Sequence, residues 1–200
     1  GISLREAIIT ANNTAGADTI LLGAGTYTLT IGGSGEDLAA TGDLDILSDI
    51  TIDGAGVGQT EISASGLGDR VFDIDFGGSL TLNSLSVADG NTGSFGAAVL
   101  ADGALTATDV VFRNQTAGSN GGAIRSSTDL TLERVSIIDS STSSSGGGIY
   151  QSGGNLTMTN VVVSGNGAGI HGGGVLFSGG GTVDIGYSTF TDNTAVFNTG

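Results

Sequence analysis

Glu36, Asp37, Asp43 and Asp45 place four carboxylates within ten residues of a strongly acidic chain. Carboxylate oxygens are the ligands a hard cation such as calcium prefers. The first two close the run Gly32-Gly33-Ser34-Gly35-Glu36-Asp37, which fits the G-G-x-G-x-D element of calcium-binding nonapeptide repeats. Such repeats act in tandem, because one turn supplies only part of an oxygen cage, and here there is one copy. A solvated acidic loop is the favoured reading, with a calcium site at Glu36, Asp37, Asp43 and Asp45 as the alternative.

A second chemistry to weigh is polysaccharide cleavage, in which clustered carboxylates hold calcium against a uronate and an arginine or lysine removes a proton. Asp89, Asp139 and Asp192 share one column of a repeat, with Arg113 near by. Asn114 and Gly165 interrupt that column, so its acids fall about 10 Å apart, at two turns' spacing. Asp109 and Arg134 occupy another column on adjacent turns and should form a surface ion pair. His171, the one histidine, lies between Ile170 and Gly172-Gly173-Gly174, in an expected exposed turn away from paired aspartates. Thr81, Thr106, Thr131 and Thr157 form an outward ladder of the kind an ice-binding face needs. The parallel column of Asn83, Thr108, Glu133, Thr159 and Gly186 varies too much in size and charge to flatten such a face. No catalytic set emerges from these columns, and a scaffold is favoured over an enzyme.

The element that must position all of these residues is a repeat of about 25 residues, with units starting at Leu80, Leu105, Leu130, Leu156 and Val183. The third residues are Leu82, Ala107, Leu132, Met158 and Ile185; the eighth are Val87, Phe112, Ile137, Val163 and Phe190. Within a unit the apolar residues step by two, then three, then two, as in Leu105, Ala107, Val110 and Phe112. A step of two is a strand with alternate side chains inward, and the step of three is a corner that keeps the apolar face inside. A glycine cluster then leads into a third strand at Val99, Ile124, Ile149 or Val175. Three strands per turn with like residues stacked in register describe a single-stranded parallel β-helix, an all-β solenoid of seven or eight turns in which each turn depends on its neighbours. The residues after those inward positions are Leu100, Arg125, Tyr150 and Leu176, which alternation places outside. Leu100, Tyr150 and Leu176 are therefore candidate partner contacts, either shielded by loops or forming an apolar stripe.

The opening is different in kind. Ser3 followed by Glu6 fits a capping box, and Leu4, Ala7, Ile8 and Ala11 lie on one helical face, so residues 3–13 should form a short amphipathic helix over the end of the solenoid. Strands are expected at Thr19–Leu22, Thr26–Ile31, Leu44–Ile46, Ile50–Ile52, Glu61–Ser63 and Val71–Ile74, with a long loop around Gly32 to Gly42. The whole forms one domain: a cap over 3–13, irregular first turns over 14–79 and regular repeats over 80–200. Gly1 and Gly200 are expected to be cut points within a longer chain. Val183, Ile185 and Phe190 in the last unit should present apolar columns that either continue into further repeats or pair with another copy.

Composition narrows the partners. Twenty acidic residues against five arginines give a charge of −15, which repels nucleic acid and anionic membrane. No stretch approaches the roughly 20 apolar residues of a membrane span. Cysteine is absent, which excludes disulfides and thiolate metal sites. Sugar-stacking aromatics are few, with no tryptophan and with Tyr27, Tyr150 and Tyr187 as the tyrosines.

Ser3-Leu4-Arg5-Glu6-Ala7-Ile8 with Ala11-Asn12, then Asp18-Thr19-Ile20 and Gly42-Asp43-Leu44-Asp45-Ile46, resembles the N-terminal region of bacterial surface β-helix proteins with a "C-S-L-R-E-A" segment. The later units resemble repeats of the polymorphic outer membrane proteins: Gly121-Gly122-Ala123-Ile124 matches G-G-[AI]-[ILV], and Phe190-Thr191-Asp192-Asn193 matches F-x-x-N. Ile2 stands where the leading cysteine would be, and the asparagine column holds Gly90, Gln115, Ser140, Asn166 and Asn193. The resemblance implies a right-handed, pectate-lyase-like β-helix, bacterial export, and a place on the cell surface or outside it. It carries no defined reaction. The function it suggests is an adhesin-like scaffold that associates with itself or with further repeats. The alternative is a module that binds or cleaves polysaccharide, including a cell-surface glycan.

Overall fold

The computed structural model describes residues 1–196. Every strand pairing within it is parallel, and the chain winds as a β-solenoid of three sheets and about six turns behind one short N-terminal helix. The first sheet stacks Asp18–Leu21, Asp49–Asp53, Ser79–Ala88, Ala104–Arg113, Leu130–Glu133, Leu156–Thr159 and Val183–Gly186. The second stacks Leu44–Ile46, Phe72–Ile74, Val99–Ala101, Ile124–Ser126, Ile149–Gln151 and Val175–Phe177. A third, narrower sheet runs from Asn91–Thr92 to Thr194–Ala195.

Register follows the repeat columns. Leu80 pairs with Leu105, Leu105 with Leu130, Leu130 with Leu156 and Leu156 with Val183. The turn count falls short of the seven or eight expected, because residues 29–43 and 64–71 run largely as loops and leave six strands in the second sheet. The strand expected over Thr26–Ile31 ends at Thr28, since its partner Thr60–Ser63 offers only four residues of register.

The step of three has a specific backbone origin. Ser84, Asp109, Arg134, Asn160 and Tyr187 occupy the corner within the first sheet, all with φ between +52° and +55°. A single left-handed residue turns the chain and restores inward alternation on the far side. A second corner column has the same conformation: Asp89, Asn114, Asp139, Gly165 and Asp192. Asp and Asn tolerate this region better than other non-glycine residues. The acids once weighed for lyase chemistry are thus corner formers.

The position after that second corner is the asparagine column, and it turns inward. Gln115, Ser140 and Asn166 are buried. Gln115 Nε2 donates to the carbonyls of Val87 and Arg113, both at 2.9 Å, and its Oε1 accepts from the Gly90 N–H at 2.8 Å. Asn166 repeats the pattern with Ile137, Ser164 and Ser140. These side chains satisfy backbone groups that the corner removes from the ladder.

Helix α1 (Leu4–Asn12) carries the capping box: Ser3 Oγ accepts from the Glu6 N–H, and Glu6 Oε2 accepts from the Ser3 N–H at 2.8 Å. Leu4, Ile8 and Ala11 are buried with the solenoid core. Asn12 ties the helix down, donating to the Asp45 carbonyl and accepting from the Leu47 N–H.

Candidate functional site

The outward column of the second sheet begins earlier than Leu100. Register places Asp45 beside Asp73 and Asp73 beside Leu100, so the column reads Asp45, Asp73, Leu100, Arg125, Tyr150, Leu176. Leu44-Asp45-Ile46 and Phe72-Asp73-Ile74 share the register of Val99-Leu100-Ala101, with Asp45 covered as well as its neighbours and Asp73 half-buried. That pattern was the available signal for Asp73, which sequence reasoning missed.

Asp43, Asp45 and Asp73 converge, with one carboxylate oxygen from each lying within 4.8 Å of the others. Asp43 and Asp45 are buried and Asp73 is partly so. Arg70 Nη1 lies between two of them, donating to Asp43 Oδ2 at 2.9 Å and to Asp73 Oδ2 at 2.6 Å. Asp45 Oδ2 accepts from the Ala39 N–H at 2.5 Å. Arg70 engages two of the three carboxylates, and burial makes the charged forms costly. The Asp43 carboxyl is pushed up to about 7, by burial first and then by Asp69, with Arg70 opposing. Asp45 and Asp73 are each pushed up to about 6, again by burial first.

A buried arginine holds the neighbouring loop in place. Arg5, on α1, donates to the carbonyls of Ala39 at 2.7 Å, Asp43 at 2.8 Å and Gly42 at 2.5 Å. Burial pulls its guanidinium below the ordinary value, while Glu36, Asp43 and Asp45 oppose that shift. Gly42 is required where the loop closes: its φ is +64°, and a Cβ there would lie 2.5 Å from the Gly33 carbonyl oxygen.

The four expected cation ligands are divided by the fold. Asp43 and Asp45 join the cluster, whereas the Glu36 carboxylate accepts from the backbone N–H groups of Leu38 and Thr41 and closes its own loop. Asp37 and Glu36 lie outside the carboxylate cluster, and Asp73 completes it. Three carboxylate oxygens are half of the six that calcium takes at minimum, and Arg70 already engages two of the three residues. As built, the arrangement shares an internal cation between adjacent turns.

Elsewhere the candidates separate. Leu100, Tyr150 and Leu176 are half-buried, and Arg125 between them turns aside to Asp102 at 2.5 Å and over the Phe95 ring at 5.7 Å. Asp109 and Arg134 form the expected ion pair, bidentate at 2.7 and 2.9 Å. His171 is exposed. At the last turn Val183, Ile185 and Phe190 are 47, 44 and 45 % exposed, although their column neighbours Leu156, Met158 and Val163 are buried.

No family model, curated protein or solved structure matches the chain. No helix among the described residues is long and apolar enough to cross a membrane.

Proposed function

We propose that this protein is a non-catalytic scaffold of the bacterial cell surface or exterior, a stiff solenoid built turn upon turn that associates with a solenoid turn of the same column pattern. One observation carries the reading: like residues stack in register turn upon turn, Leu80 on Leu105 on Leu130 on Leu156, and each is buried only by its neighbours in the column. The partner is a turn with the same column pattern, from a second copy or from further repeats. The motif resemblance supports export, and the corner and clamp roles of the polar columns support scaffold over catalyst.

The test is to append one more repeat, copied from residues 105–129, after Val196. The scaffold reading expects a higher melting temperature and loss of any concentration-dependent association seen by light scattering. An appended turn that leaves both unchanged would overturn it.

A further inference from the structure

A cleft of about 400 Å³ opens between α1 and the first strand of the first sheet, Asp18–Leu21. Its volume falls within the range of small-molecule sites, roughly 300 to 1,000 Å³. Leu4, Ala7 and Ala11 line it from the helix, and Ile20, Leu22 and Tyr27 from the first turn of the solenoid. Among these apolar walls stands one charged side chain, Asp18, and no basic residue lines the cleft.

Register accounts for how a carboxylate comes to be there. Asp18 lies beside Ile50, and Ile50 beside Leu80, so the acid occupies the first rung of an inward column that is otherwise aliphatic. Burial alternates along its strand, with Asp18 and Ile20 half-buried and Thr19 and Leu21 exposed. Asp18 Oδ2 is shut off from solvent and has no hydrogen-bond partner among the described residues. Ser3 and Thr10 also line the cleft, but their hydroxyls donate to Glu6. A carboxylate oxygen taken out of water is costly unless a partner supplies a donor or a charge.

We infer that this cleft binds a small organic ammonium ion, its charged nitrogen at Asp18 and its hydrocarbon body against Ala7, Ala11, Ile20 and Tyr27. An ammonium group brings both the donors and the positive charge that the carboxylate lacks. The apolar lining favours an aliphatic or aromatic body over a bare inorganic cation, which would keep its water and leave those walls uncovered. Tyr27 adds to the lining an aromatic ring, whose face attracts cations. A charge of −15 draws a cation toward the protein and repels an anion. A lysine side chain of another protein is disfavoured, because its backbone amides would be set against an apolar wall. This goes beyond the scaffold reading, and its failure would leave that reading intact.

The experiment is calorimetric titration of the whole chain at neutral pH with hexylamine, hexanol, ammonium chloride and N-acetyl-lysine methylamide, the last standing for a protein lysine. Hexylamine is expected to bind at millimolar concentration, about tenfold more tightly than each of the other three. Asp18→Asn should erase the preference for the amine over the alcohol. Ala7→Met, which fills the cleft from the helix, should abolish binding of both, whereas Asp184→Asn on the exposed last turn should change neither. Ala7 and Asp18 are only half-buried, and a melting temperature no lower than the parent's checks that each variant folds. Hexylamine should raise the melting temperature of the parent and leave that of Asp18→Asn where it is. The proposal is overturned by no heat with millimolar hexylamine, by equal affinity for hexanol or ammonium chloride, by undiminished affinity in Asp18→Asn, or by tighter binding of the lysine derivative.

Discussion

Arg70 Nη1 lies 2.9 Å from the Oδ2 of Asp43, a residue that precedes it by a full turn of the solenoid. The same nitrogen also reaches Asp73, so one largely covered cation joins the loop before the first strand of the second sheet to the strand above it.

Removing that cation leaves carboxylates facing one another in a poorly hydrated site. Arg70→Gln should cost about 3 kcal/mol at pH 8, the scale for breaking one side of a buried ion pair. Millimolar calcium should restore part of the lost melting temperature in the variant and leave the parent unchanged. Differential scanning calorimetry with and without calcium checks both.

The pH dependence should run opposite to ordinary acid denaturation. Asp43, Asp45 and Asp73 have folded values of about 7, 6 and 6, above the ordinary 3.8, so the native state binds protons more tightly than the unfolded chain. Their stabilising effect is full below pH 4 and is lost as pH rises through 6 to 7. Thermal melts should show the melting temperature rising as pH falls from 8 to 5.5, by an amount equivalent to about 2 to 4 kcal/mol after allowance for coupling among the three. The lowered carboxyls, Glu6 and Asp109, titrate below this window and do not offset it. Asp43→Asn should flatten the slope, and a slope unchanged in that variant would place the effect elsewhere.

The inward amide clamp should matter more than its size suggests. Gln115→Ala strands the Val87 carbonyl and the Gly90 N–H in a buried corner, so about 2 to 3 kcal/mol should be lost. Urea unfolding measures it, with an unchanged slope showing that the fold persists.

Asp109 and Arg134, by contrast, form a well-shaped but exposed pair. Replacing Asp109 by Asn keeps a residue suited to the left-handed corner, and the melting temperature should not move measurably. A clear drop would show that the corner ion pairs hold the turns together.

Much of the fold was legible because a solenoid repeats its constraints. The interval from Leu80 to Val183 put register, core columns and the step-of-three corner into the sequence several times over, and alternation fixed which side chains enter the core. Ser3 and Glu6 announced the cap in the same local way. The acidic centre was legible only in part. Asp43 and Asp45 belong to the irregular first turns, where loops of differing length hide which residues stack.

What the sequence determined by itself was everything set by short-range periodicity: parallel strands, three per turn, aliphatic columns inside, an amphipathic helix at the start. The tertiary structure decided which distant polar groups share a site. It brought Asp73 beside Asp45 and placed Arg70 between Asp43 and Asp73, while Glu36 was turned back to its own loop. The physical reason is that a column is specified by a repeated pattern, whereas the pairing of charges across turns depends on where an unrepeated loop of residues 29–43 closes.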